Sequence, residues 1–243
     1  MLSGVYDAFQ KWGAQGAVWI YSDPHFSDKD LECGIKNRIS DEEQIANINA
    51  KCGRKDTLII LGEVGNIECV RKLRAARKIL IMGNHDKGAT NYKKDYVVKK
   101  YDKDKFSLEE ALSDMAKDYP NWKLTSTEGY QYTSPFQYWA ITAHNCLFDE
   151  VYEGALIIGE KLILSHEPVD IPWAFNIHGH DHAGHQTYNH LNVCSDIIGY
   201  EPINFNQFLK SGAMSKIQTI HRETIDKATK RKKKRGGKKI GAK

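Results

Sequence analysis

The sequence predicts an α/β protein, and three observations carry that prediction. Three short apolar runs, AVWIYSD (17–23), TLIILGE (57–63) and KILIMGNHD (78–86), each end in polar residues. Two segments with helical spacing lie between them. Past residue 86 the pattern changes to short alternating runs separated by turn residues. A β-α-β-α-β unit with parallel strands, followed by a mostly antiparallel sheet, is the simplest chain that reads this way.

Each element has its own reason. The first helix opens at Ser40 with Glu43 three residues on, a capping box, and places Ile45, Ile48 and Cys52 on one face. The second opens at Asn66 and sets Ile67, Val70 and Leu73 at helical spacing. In DKFSLEEALSDMAKDYP, Ser107 and Glu110 form another capping box, with Leu108, Ala111, Leu112 and Met115 facing inward. YQYTSPFQYWAIT alternates like antiparallel strands about a Ser134-Pro135 turn. ALIIGEKLILSHEP reads as a hairpin about Gly159-Glu160, with glycine at the first turn position as a type II′ turn requires. AFNIHGHDH, a strand HLNVCSD and a short helix near 204–210 complete the body.

Length and charge restrict the function classes. With 243 residues and 41% hydrophobic content, the chain can bury a core large enough for an enzyme. It shows neither a run of roughly 18 apolar residues nor the basic start and apolar centre of a signal peptide, so the expected location is cytoplasmic, without a membrane. Five cysteines (Cys33, Cys52, Cys69, Cys146, Cys194) lie far apart, without a C-x-x-C pair, and read as reduced thiols. The net charge of +4 hides a division. Residues 227–243 hold ten of the 35 Lys/Arg and no acid, which leaves the rest at −6. The expected organisation is therefore one catalytic domain, 1–226, and a basic, disordered tail, 227–243. Such a tail can hold nucleic acid or another polyanion through counterion release, or act only as a solubilising terminus.

In a parallel β-α-β unit, ligands gather at the carboxyl ends of the strands, where Asp23, His25, Glu63, Asn84, His85 and Asp86 all fall. In extended chain, residues i and i+2 point the same way, so Asp23 with His25, and His180 with His182, can each reach one point. His166 ends another strand. Imidazole, carboxylate and amide oxygen without thiolate suit manganese, iron or zinc rather than a structural zinc cage.

The ordered set D-x-H, G-acid, G-N-H-D, H and G-H-x-H, each at a strand end, resembles the calcineurin-like metallophosphoesterase superfamily over residues 17–205, most of all its small single-domain bacterial and viral members. The resemblance implies two packed mixed β-sheets flanked by helices, a four-layer α-β-β-α sandwich. It implies two divalent ions, manganese favoured, with iron, zinc, nickel or magnesium as alternatives. Asp23, His25 and His182 would hold one, Asn84, His166 and His180 the other, with Glu63 between them. Two such ions about 4 Å apart activate a water and clamp a phosphoryl group. His85 would act as acid or hydrogen-bond donor on that group, oriented by Asp86. The implied activity is phosphoester hydrolysis, with a phosphodiester favoured and a nucleotide or other small phosphoester as substrate. The family carries Asp where this chain has Glu63, and the extra methylene moves the carboxylate by more than about 1 Å. The expected consequence is one ion held more weakly and modest activity.

Other features have plainer readings. His178 sits in an apolar strand as a core or supporting residue; His185 and His190 flank the motif; Asp181 points away from its histidine neighbours. The aromatic stretch over 119–152 fills a sheet core, or stacks a nucleobase. Two further function classes stay open: a nuclease that uses the basic tail to hold nucleic acid, and a weakly active or inactive scaffold on the same fold.

Overall fold

The computed structural model describes residues 7–35, 37–86, 96–120, 122–133, 136–144, 147–159, 161–218 and 225–230. The Ser134-Pro135 turn, Cys146 and the tail beyond residue 230 lie outside them, as does Glu160 of the hairpin turn. The chain forms two compact units, Met1–Lys87 with Tyr152–Lys243, and Gly88–Val151.

The first unit begins with α1 (Asp7–Gln10), followed by a 3-10 turn that buries Trp12. Strand β1 (Val18–Tyr21) leads through α2 (Lys29–Gly34) and α3 (Asp41–Lys51) to β2 (Thr57–Leu61), and α4 (Ile67–Arg71) leads to β3 (Arg77–Ile81). The predicted caps form: Ser40 accepts from the Glu43 amide while Glu43 reaches back, and Asn66 accepts from the Glu68 amide. Helix α4 stops at Arg71, so Leu73 reaches the core from the loop beyond it. Every residue of TLIIL is buried, as in a parallel strand covered on both faces. β1, β2 and β3 pair in parallel, Ile59 standing between Ile20 and Ile79.

The second unit holds β4 (Tyr96–Asp102), α5 (Leu108–Asp118), β5 (Lys123–Gln131) and β6 (Phe136–His144). Its antiparallel sheet has the order β4-β6-β5, with Trp139 opposite both Tyr101 and Glu128. Tyr101, Ala111, Met115, Ile141 and Ala143 form its core. The Ser107 capping box starts α5 as predicted.

Strand β7 (Glu150–Tyr152) returns the chain to the first unit, where the Met82 amide donates to the Tyr152 carbonyl at 2.8 Å. There follow β8 (Leu156–Ile157), β9 (Leu162–Leu164), β10 (Phe175–His178), β11 (His190–Asn192), β12 (Ile203–Asn204) and α6 (Phe205–Lys210), capped by Asn204. β12 pairs antiparallel with β1. β8 and β9 form the expected antiparallel hairpin, but β10 lies parallel to both β9 and β11. The mostly antiparallel second half expected from the sequence holds for the β4-β6-β5 sheet, for β8 with β9 and for β12 with β1, and β10 departs from it. The loops 165–174 and 179–189 are long enough to carry the chain back across the sheet, and FNIH is buried along its whole length, as an interior parallel strand requires. Val18, Ile20, Ile59, Leu61, Ile79 and Ile81 from the first sheet share one apolar core with Leu162, Leu164, Phe175 and Ile177 from the second. The protein is thus a mixed α/β structure. Among the described residues, no helix is long and apolar enough to cross a membrane.

Candidate metal centre

The strand ends of the first unit gather the polar residues singled out above, at a local cost in backbone strain. Asp23, His25, Glu63 and His180 all have positive φ, between 42° and 66°, a region that side chains other than glycine adopt only when the surroundings enforce it. Here the enforcement is visible. The Asp23 amide donates to the Gly62 carbonyl, the His25 amide to the Glu63 carbonyl at 2.8 Å, and the Ser195 hydroxyl to the Asp23 carbonyl at 2.7 Å. Arg38 and Gln44 both donate to the Pro24 carbonyl. Gly179 is dictated by proximity, since a Cβ there would lie 1.8 Å from Ser22 Oγ and 2.1 Å from Asp23 Oδ2.

Asp23 is fully buried, and its two oxygens have different surroundings. Oδ2 accepts from the Ser22 hydroxyl at 2.6 Å and from the His180 amide at 2.8 Å. Among the described residues, Oδ1 has no hydrogen-bond partner. Facing it are His25 Nε2 at 3.7 Å, His166 Nδ1 at 3.8 Å and His182 Nε2 at 4.0 Å. Burial alone would raise the Asp23 pKa, but His25, His166, Ser22 and the His180 amide outweigh it and hold the group below its ordinary value. A buried carboxylate oxygen without a donor normally costs free energy; a cation shared with the imidazoles would satisfy it. Asp23, His25 and His182 present their ligand atoms within 4.8 Å of one another.

A second group stands beside the first. His166 Nδ1 lies 2.9 Å from the Leu61 carbonyl, which can only accept, so that nitrogen carries the proton and Nε2 keeps the lone pair. Nε2 meets Asn84 Oδ1 at 3.0 Å, His180 Nδ1 at 3.0 Å and Glu63 Oε1 at 3.4 Å. Crowding of lone-pair atoms around one nitrogen is again the pattern a cation would resolve.

Glu63 belongs with this second group, and its other oxygen is engaged elsewhere. Oε2 lies 2.9 Å from His85 Nδ1, while Oε1 accepts from the His85 amide at 2.9 Å. The expected Asp86 orientation of His85 is therefore corrected. Both Asp86 oxygens accept backbone amides, from Glu63, Val64 and Gly83 at 2.9 to 3.1 Å, so Asp86 ties the two loops together. Glu63 reaches the imidazole that was expected to depend on Asp86.

Further residues at the site had not been singled out from the sequence. Asp196 Oδ1 lies 3.0 Å from His182 Nδ1, and Asp28 Oδ2 lies 3.2 Å from His25 Nδ1. The Asp196 contact raises the His182 pKa; burial would raise that of Asp196, but the same contact outweighs it and lowers it. Cys194 is buried against His182, Sγ 3.4 Å from Nδ1, and burial pushes its thiol pKa far up, away from a reactive thiolate. Asp28 was legible as the third residue of a turn after His25, and Asp196 as another polar strand end, after HLNVC. Conversely, Asp181 accepts from the Ala183 and His185 amides and from His185 Nδ1, which keeps it off the ligands as expected. His178 is buried beside the Gly179 carbonyl with its pKa lowered by burial, as a neutral core histidine.

Asp23, His25, Asp28, Asp30, Glu63, Asn84, His85, His180 and His182 line a cleft of about 320 Å³. Among the described residues, its lining carries four carboxylates and neither lysine nor arginine. No family model matches the chain, and no curated protein matches it. Among solved structures, the chain is similar to a protein of unknown function from Aquifex aeolicus, AQ665, with 20% identity over 80% of this chain and 98% of that one, at a TM-score of 0.47.

Proposed function

We propose that this protein is a metal-dependent phosphoesterase of the calcineurin-like type, acting on a phosphodiester of a nucleotide or another small molecule. The observation that carries the reading is Asp23 Oδ1, buried without a hydrogen-bond donor among the described residues and faced by His25 Nε2 at 3.7 Å and His182 Nε2 at 4.0 Å. The shared core of the two larger sheets supports the four-layer arrangement implied by the same resemblance. Asp23, His25 and His182 would hold one divalent ion, and Asn84, His166, His180 and Glu63 Oε1 the other. When bound, such ions supply a nucleophile at neutral pH and neutralise charge on the phosphoryl oxygens.

The chain's own residues account for the rest. A cleft edged by four carboxylates repels phosphate, so substrate binding depends on cations. The same rim favours a diester, with one negative charge, over a monoester dianion. Glu63 Oε2 lies 2.9 Å from His85 Nδ1, and the mostly exposed His85 side chain keeps Nε2 for the substrate. From there it donates a proton to the leaving oxygen. Asp86 holds the Glu63 and Gly83 loops, and so fixes the position of His85.

A second reading rests on the ten Lys/Arg of residues 227–243: the substrate is then a nucleic acid, and activity falls steeply with salt until the tail is deleted. The direct test is hydrolysis of bis-p-nitrophenyl phosphate beside p-nitrophenyl phosphate, using metal-stripped protein titrated with manganese. Manganese-dependent diester cleavage that disappears in His85→Ala is the expected result. Bound metal without turnover of either ester would replace the enzyme reading with a binding or scaffold role.

A further inference from the structure

The two groups of candidate ligands differ in what stands behind their imidazoles. His25 and His182 each turn Nδ1 toward a carboxylate, Asp28 at 3.2 Å and Asp196 at 3.0 Å, and each presents Nε2 toward Asp23 Oδ1. His166 Nδ1 instead has its near contact, at 2.9 Å, with the neutral Leu61 carbonyl, Asp23 Oδ1 standing farther off at 3.8 Å, and its neighbour Asn84 is a neutral amide. The two carboxylates are themselves held. Asp28 uses Oδ1 to accept from the Asp30 amide at 3.1 Å, which leaves Oδ2 for His25, and the Asp28 amide donates to the His25 carbonyl. Asp196 is largely buried and follows Cys194, whose sulfur packs on the same His182 ring.

Resting on the metal-centre reading above, we infer that Asp28 and Asp196 are positioning residues that lock His25 and His182 as Nδ1–H tautomers with Nε2 free for a divalent ion. A carboxylate behind a histidine fixes ring orientation and strengthens the opposite nitrogen as a donor. Three negative charges, Asp23, Asp28 and Asp196, then converge on the first group, whereas the second has Glu63 and only the shared Asp23 beside it. Charge count sets divalent-cation affinity in oxygen- and nitrogen-lined sites. The first group is accordingly the tighter one because of two residues that touch no ion.

The test has an arm without metal and an arm with it, both on the full chain. In metal-free protein, two-bond ¹H–¹⁵N spectra of the histidine rings should show Nδ1–H for His25 and His182. Asp28→Ala should release only His25, and Asp196→Ala only His182. Zinc titration of stripped protein against a competing chelator should show the tighter step weakened about 10- to 100-fold in Asp28→Asn and Asp196→Asn, with the weaker step unmoved. The asparagine variants keep a hydrogen-bond acceptor, so they report on charge even where an alanine variant fails to fold. Unchanged tautomers in a folded alanine variant, equal loss of both steps, unchanged affinity, or no zinc binding at all would each overturn the inference. Turnover enters neither arm. Correct tautomers and zinc steps in a protein inactive on every phosphoester defeat the phosphoesterase reading alone, and an active protein with free rings defeats this inference alone.

Discussion

The first unit buries its polar chemistry, and the second leaves its own at the surface. In the first, Asp23, His25, Glu63, Asp86 and His166 are all buried, four site residues have positive φ, and Asp23 Oδ1 has no hydrogen-bond partner among the described residues. In Gly88–Val151 the ion pairs Lys99–Asp114 and Lys103–Glu128, both at 2.7 Å, sit on exposed side chains or at their edge, where solvent screens them and they contribute little. The helix, sheet and small apolar core of that unit are held by local contacts, with His144 Nδ1 as its buried side-chain atom without a hydrogen-bond partner among the described residues. Strain and unsatisfied charge persist only where surrounding structure over-determines them, and they mark the first unit as the place where function is built.

Four substitutions test this contrast, in decreasing order of effect. His85→Ala should lower turnover by about 10²- to 10⁴-fold with metal binding intact, as for loss of a general acid; a fall in metal affinity of the same size would reassign His85 to the ligands. Ile141→Ala, fully buried in the second unit, should cost about 2–5 kcal/mol in urea unfolding. Metal affinity should not change with it, and a parallel loss would show that the two units do not act separately.

The third change concerns pH. His182 has a raised pKa, so its contribution to stability is fully present below its ordinary value of 6.5 and is lost as pH rises through the raised one. Asp196 has a lowered pKa, so its share is present above 3.8 and is lost as pH falls through the lowered value. Without metal, the Tm penalty of Asp196→Asn should therefore be larger near pH 5.5 than near pH 9. With metal the trend in affinity runs the other way, because protons compete for the imidazoles and binding weakens toward acid. A penalty independent of pH would mean that the pair is not ionic. Smallest of the four, Ser107→Ala should cost about 1 kcal/mol, read as faster amide exchange in α5 alone.

Much of this was legible in the sequence because its signals are local. Ser40/Glu43, Asn66 and Ser107/Glu110 mark helix starts through contacts two or three residues long, and all three caps form. The polar ends of 17–23, 57–63 and 78–86 placed Asp23, Glu63 and Asn84 on one edge because parallel strands share a direction. What escaped depends on partners distant in sequence. Nothing near FNIH distinguishes parallel from antiparallel pairing, since the loops on either side decide it. Asp86 follows His85 directly, yet its oxygens are taken by amides 22 and 23 residues away in the Glu63 loop, which frees His85 to pair with Glu63. Asp196 ends the run HLNVCSD as other site residues end theirs, but only the fold brings it to His182.

The central claim is that Asp23 Oδ1 and the imidazoles around it form a cation site. Calorimetric titration of the metal-stripped full chain with manganese tests it most directly, with Asp23→Asn alongside. The account predicts two ions bound by the natural sequence, with the tighter one weakened in the variant by at least the roughly 100-fold that marks the upper range for residues behind a ligand. No binding, or equal binding by both proteins, would contradict it.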